Sequence, residues 1–176
     1  MIEAVAGERF HGKFRGVVRD NADPAGRGRL KVDVAGVPQK DETWAEPCVP
    51  LAGPLGAPMG AYLVPPVNTG VWVEFERGDA DYPVWVGCIW GGADGSSVPA
   101  QARQGSSASP SIVLQTMGQN SLVISDAPNG GITLQTASGA MISINETGIT
   151  IRSADGASIE LNKGAVKVNQ DALEVT

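Results

Sequence analysis

Side chains able to do chemistry at neutral pH are scarce in this chain: 176 residues hold one histidine, His11, and two cysteines, Cys48 and Cys88. Nucleophilic catalysis needs a Ser or Cys activated by a neighbouring base, and His11 stands in Phe10-His11-Gly12, just before a strand, with no such signature beside it. It reads as a surface or packing residue. Two cysteines and one histidine fall short of a zinc ligand set, and no His-x-His pattern offers an axial metal site. Glu74, Glu76, Asp79 and Asp81 have the residue types of an acid/base pair or a metal cluster. Glu74 and Glu76, however, share one strand face as solvent neighbours, and Gly78-Asp79 is a turn leading to Tyr82-Pro83. The expectation is a protein that is not an enzyme, with no cofactor, no catalytic residue and no metal ligand. Cys48 and Cys88 lie in apolar strand-like surroundings and are expected to be small core residues rather than a disulfide or a reactive thiol.

Binding chemistry is better represented. Arg27, Arg29 and Lys31 alternate as if projecting together from one strand, and Trp72 and Trp85 have the form of base-stacking platforms, the pairing that single-stranded nucleic acid uses. Charge opposes that reading: residues 10–92 hold 8 Lys/Arg against 10 Asp/Glu, and the whole chain carries −6. An acidic surface repels polyphosphate and anionic lipid. The basic stripe is therefore expected to be a docking edge for protein, either another protomer or a separate partner. The Met1-Ile2-Glu3-Ala4 start has no basic n-region or long apolar core, and no stretch approaches the ~20 apolar residues of a membrane span. Assembly in the cytoplasm is expected.

The elements that must carry these residues are strands. With 23 Gly, 12 Pro and 5% aromatic residues, the composition points to all-β structure. Phe14, Gly16 and Val18 alternate with Lys13, Arg15 and Arg19; Leu30, Val32 and Val34 with Arg29, Lys31 and Asp33; Val71, Val73 and Phe75 with Trp72, Glu74 and Glu76. Val84, Val86, Cys88 and Trp90 form one face of a further strand whose other face carries Trp85 and Ile89, and a short strand is expected around Cys48 to Leu51. Five strands in about 80 residues suit a Greek-key barrel of the OB type. Between them, Ala52 to Thr69 contains Pro54, Pro58, Pro65 and Pro66 and is expected to be an ordered loop whose Leu55, Met59, Tyr62, Leu63 and Val64 need covering. Gly91 to Pro110 is rich in Gly, Ser, Ala and Pro and reads as a connector. The expected division is an N-terminal arm over 1–10, a barrel over 11–92, a linker over 93–110 and a repeat segment over 111–176.

In the repeat segment the word apolar-x-apolar occurs eight times, as Ile112/Leu114, Leu122/Ile124, Ile132/Leu134, Ile142/Ile144, Ile149/Ile151, Ile159/Leu161, Val166/Val168 and Leu173/Val175, at intervals of ten or seven residues. Two apolar residues with one between them is strand periodicity. The middle residue drifts from Val113 and Val123 through Thr133, Ser143 and Thr150 to Glu160, Lys167 and Glu174, so one face stays apolar while the other is free to be wet. Between the words stand Gly, Asn and Asp, the residues that tolerate the positive φ of tight reversals. Two apolar side chains per repeat do not offset the entropy of fixing seven to ten residues, so faces from other chains must contribute. A one-chain solenoid with three strands per coil has fewer than three coils, a marginal stack. The expectation is three chains wound around a common axis, each supplying one wall of a triangular prism, with the sixteen word residues forming a dry axial core.

The succession Gly12-Lys13-Phe14-Arg15-Gly16-Val17-Val18, Asp23-Pro24, Gly26-Arg27-Gly28-Arg29-Leu30-Lys31-Val32, Trp44-Ala45, Pro47, Pro50, Ala52-Gly53, Pro66-Val67, Gly70-Val71-Trp72-Val73-Glu74-Phe75-Glu76-Arg77-Gly78-Asp79 and Pro83-Val84-Trp85-Val86-Gly87, followed by the β-repeats, resembles the central spike protein of contractile tails and injection systems, the baseplate assembly protein V or valine-glycine-repeat spike family. The resemblance implies an OB-type barrel followed by an intertwined trimeric triple-stranded β-helix. It implies a structural homotrimer, part of a phage tail baseplate or an injection-system particle, with its OB ring docked on a baseplate hub protein and its β-helix piercing the target envelope. A separate PAAR-type tip protein is implied at the free end, for which Leu173 and Val175 are the nearest word residues. The family's best-known phage form carries a lysozyme domain between barrel and rod; here only about twenty residues stand there, so wall cutting must come from elsewhere. Within this reading Arg27, Arg29, Lys31, Leu55, Met59 and Tyr62 are candidates for hub or inter-protomer docking; neither nucleic acid nor stable membrane insertion before firing is expected. The rival reading is a trimeric β-rod stalk whose OB barrel binds a ligand or oligonucleotide.

Overall fold

The structure, a computed structural model, describes residues 7–92, 96–104, 109–170 and 172–175, with the backbone alone at 104 and 173–175. The expected arm at 1–10 thus lies mostly outside the described residues, as does part of the expected linker at 93–110. The chain divides into two compact units at residues 95 and 96.

The first unit is a five-stranded barrel. Strands β1 (Phe14–Asp20), β2 (Lys31–Val34), β3 (Glu46–Pro47), β4 (Gly70–Phe75) and β5 (Pro83–Ile89) are hydrogen-bonded in the order β2-β1-β4-β5-β3. β3 runs parallel to β5, and the antiparallel bridge between Leu30 and Ala45 joins the two ends of the order, with N–H to O distances of 3.1 and 2.7 Å. Closure leaves the barrel no open edge there. Alternation selects what goes inside: Val18, Leu30, Val34, Ala45, Val71, Val73, Phe75 and Trp85 form the buried core, and Phe10, Phe14 and Phe75 meet edge-on or tilted with ring centres 5.4–6.2 Å apart. The indole N–H of Trp85 donates to the Gly28 carbonyl at 3.1 Å, so burial of that ring leaves no polar atom unpaired.

Several expectations for the barrel need correction. β3 lies at Glu46–Pro47 rather than around Cys48 to Leu51, because the pairing with Val84 and Trp85 fixes it there. On β5 the inward face is that of Pro83 and Trp85, so Cys88 is exposed in the chain rather than a core residue, and Cys48, just past the end of β3, is exposed as well. Arg27 and Arg29 do not share a strand with Lys31; they belong to the turn that precedes β2. Of the loop apolar residues, Val64 is packed against the core by its own chain. The loop is also more regular than its prolines suggest. Ala52 bridges Gly60, Gly53 N–H donates to Met59 O at 2.6 Å, and Ala61 N–H donates to Leu51 O at 3.2 Å, making residues 51–61 a narrow hairpin-like arm.

The second unit begins with a helix that the connector reading missed, α1 (Ala100–Gln104). Eight strands follow: β6 (Ile112–Gln115), β7 (Ser121–Ser125), β8 (Gly131–Gln135), β9 (Met141–Asn145), β10 (Gly148–Arg152), β11 (Ser158–Asn162), β12 (Ala165–Val168) and β13 (Leu173–Val175). Every apolar-x-apolar word lies in its own strand. The strands form one antiparallel sheet in strict chain order, each paired with its sequence neighbours, so a chain folds as an open wall and not as the coils of a solenoid.

Turn chemistry sets the two repeat lengths. A seven-residue step uses a tight turn such as Lys163-Gly164, where both residues have positive φ (47° and 81°), the conformation that matches the twist of the flanking strands. A ten-residue step uses a five-residue loop, built alike three times. Thr116, Thr136 and Ser153 each open a loop and accept, through the side-chain hydroxyl, the N–H four residues on, from Asn120, Ala140 and Ala157, at 3.1–3.2 Å. The fourth loop residue, Gln119, Gly139 or Gly156, has positive φ.

Candidate assembly surfaces

The register of the sheet sorts its side chains into columns. One column runs Ile112, Ile124, Ile132, Ile144, Ile149, Leu161, Val166, Val175, and the other Leu114, Leu122, Leu134, Ile142, Ile151, Ile159, Val168, Leu173, each residue directly opposite the next. Neither column is interrupted over eight strands. Within one chain this face is the uncovered one: twelve of these residues are exposed, between 37% and 62% of their surface, with only Leu122 and Val168 half-buried. Leu173 and Val175, the candidate tip-binding pair, have register positions but no described side chains.

The opposite face is more covered despite its polar chemistry. Ser121, Ser143 and Ser158 are buried there, and α1 brings Gln101 beside Val123, Ser125 and Thr133. Val123 is half-buried, which gives a reason for the two valines that open the middle column. Farther along, Glu160, Lys167 and Glu174 stand opposite one another in alternating sign, a favourable cross-strand arrangement. A sheet with polar groups covered and isoleucines bare is unsatisfied on one side, since contiguous apolar surface of this extent is rare on a monomer.

Backbone fit fixes the register at two strand starts. Gly131 (φ +104°) and Gly148 (φ +142°) each face a carbonyl of the adjacent strand, Ile144 O and Leu161 O; a Cβ at either site would stand 2.1 Å from that oxygen. Only glycine permits so close an approach.

On the barrel the six candidate docking residues separate into two groups. The basic group is largely satisfied within the chain. Arg29 donates through Nε (3.0 Å) and Nη2 (2.7 Å) to Asp23, whose carboxylate also accepts from the Ala25, Arg27 and Arg29 amides and is only 2% exposed. The Arg29 guanidinium, assisted by those amides and opposed by burial, holds the Asp23 carboxyl well below the usual carboxylate range, and Asp23 in turn raises Arg29. Arg27 pairs with Glu46, and both Arg29 and Lys31 lie over the Trp44 ring, at 5.6 and 5.2 Å. The apolar group is the reverse: Leu55, Met59 and Tyr62 project from the 51–61 arm and its base, and Leu55 is wholly exposed.

The remaining sequence candidates are dispersed. His11 lies against Gly78, where even a methyl group would come within 2.8 Å of the ring. Glu74 pairs with Lys13 (2.6 Å), Asp79 with Arg9 (3.5 Å) and Asp81 with Lys40 (2.5 Å), so three of the four carboxylates face three different cations; the partnership with Asp81 raises Lys40. Trp85 is buried and Trp72 is covered by Arg15 at 4.8 Å, which removes the pair of stacking platforms. The contacts that sequence reasoning missed are the Asp23 network and the hydroxyl-closed loops. The loops had a visible signal, a Ser or Thr two residues after three of the words.

Two family models match the chain. Residues 14–90 match the type VI secretion system/phage-baseplate injector OB domain, and residues 111–174 match the phage baseplate V C-terminal trimerisation domain. Only twenty residues separate the two matches. The curated proteins yielded no match.

Proposed function

The chain belongs to the baseplate spike family of phage tails and type VI secretion injectors, and on that premise we propose that three copies close their apolar walls around one axis to make the piercing needle of such a particle. Its structural role in a baseplate and its trimerisation domain follow from the family. The finer assignments are ours: the two columns as a dry axial core, the winding of the three chains into a triple-stranded β-helix, the barrel as the part that meets the hub, and a separate PAAR-type protein seated at the β13 end. Assembly in the cytoplasm belongs to the same reading.

The observation that carries it is the bare face, two unbroken apolar columns eight residues long. A single sheet cannot cover its own face, and a closed prism of three can. Each apolar side chain fully removed from water contributes ~1.5–3 kcal/mol, so these columns supply a large part of the drive to associate. Such a prism resists axial load because no strand can leave without breaking many backbone hydrogen bonds together.

The test is the solution mass of the purified chain by light scattering, joined to an unboiled denaturing gel. A mass of three times 18.2 kDa with an SDS-resistant band is expected. A stable monomer would overturn the proposal.

A further inference from the structure

The apolar arm on the barrel has a partner to find. From Pro47 to Val73 the sequence contains no Asp, Glu, Lys or Arg, in a chain that is 18% charged. Within that run Leu51, Leu55, Met59, Tyr62 and Leu63 are exposed. They are held out on ordered backbone: the hydrogen bonds of residues 51–61 make the arm, Ala57 N–H closes its tip on Pro54 O at 3.1 Å, and Asn21 Nδ2 and Asn68 N–H tie its base to the barrel. A prebuilt arm loses little entropy on docking.

Resting on the trimeric reading, we infer that this arm is covered by the barrel of a second copy of the chain. Depletion of charge together with exposed aliphatic and aromatic side chains is the mark of obligate homo-oligomer interfaces, which are more apolar than those formed and released between independent proteins. Supply favours a second copy as well. The twenty residues between the two family matches span at most ~70 Å, so closing the trimerisation domains brings three barrels within reach of one another. Short tethers of this kind give millimolar effective concentrations, enough for an interface too weak to hold alone. The basic residues, satisfied by Asp23, Glu46 and Trp44, have no such need.

The experiment uses the full-length chain with Met59→p-benzoylphenylalanine, its mass first verified, then irradiated and run on a boiled denaturing gel. Hydrogen exchange on the unsubstituted chain supplies the second reading. A crosslinked band at twice 18.2 kDa is expected, with the Leu55 and Gly56 amides exchanging on the order of ten-fold more slowly than in a free peptide. Trimeric mass with only single-chain bands and unprotected amides overturns this inference alone and leaves the arm to the hub protein. Protected amides with only single-chain bands place the cover within the same chain and overturn it equally. A monomeric mass overturns the trimeric reading and, with it, the second copy that this inference requires.

Discussion

Asp23 shows how much one side chain can organise. Its carboxylate gathers three amides and a guanidinium, and so shapes the turn that carries Arg27 and Arg29. Because Arg29 depresses its pKa on folding, the linked stabilisation is fully present above the unfolded value near 4 and is lost as pH falls through the lower folded value. The barrel's melting temperature should therefore be insensitive to Asp23 between about pH 5 and 7 and decline below about 4. Asp23→Asn should lower it at pH 7 and flatten that acid limb, and an unchanged melting profile would count against the network. At the strand starts, Gly131→Ala and Gly148→Ala should each destabilise by roughly 1–3 kcal/mol through enforced strain, read as a lower thermal midpoint. The sequence marked both positions as turn glycines. It gave no sign that each also faces a carbonyl of the next strand, because that approach depends on register.

At the scale of elements, legibility followed the contrast between faces. The eight words were readable as strands because each sets two apolar residues around a middle position that becomes increasingly polar along the chain, and each is found in a strand. β5 was not readable in the same way. Val84, Trp85, Val86, Cys88, Ile89 and Trp90 are all apolar, so alternation cannot tell inside from outside. The choice fell to pairing with β4, whose register shifts between Trp72 and Val73. α1 was invisible because five residues in a Gly/Ser/Pro-rich stretch offer no periodicity. Three substitutions probe the elements of the wall. Ile142→Asp sets three like charges in the proposed axial core and should abolish trimerisation, read as a monomeric mass or failure to recover soluble trimer. A soluble mutant trimer with unchanged melting would sink the core assignment. Thr136→Ala and Ser153→Ala each remove the hydroxyl that closes a loop and should cost ~0.5–1.5 kcal/mol while leaving the trimer intact.

For the whole molecule, the balance between apolar and charged surface predicts how assembly responds to solvent. If the columns hold the trimer, its mass should be the same in dilute buffer and in about 1 M salt, where the screening length falls to ~3 Å. Dissociation by salt would shift the burden to charges such as Glu160, Lys167 and Glu174. A chain of net charge −6 should also show no salt-dependent retention on a DNA column. The strict chain order of the eight-stranded sheet has a consequence in time. Each strand pairs with the one synthesised just before it, so contact order in this unit is low and a wall can zip up hairpin by hairpin, each on the microsecond scale. Meeting two other walls requires diffusion. The rate of trimer formation should therefore rise with protein concentration, so that the supply of newly made chains, rather than their folding, sets how fast trimers accumulate.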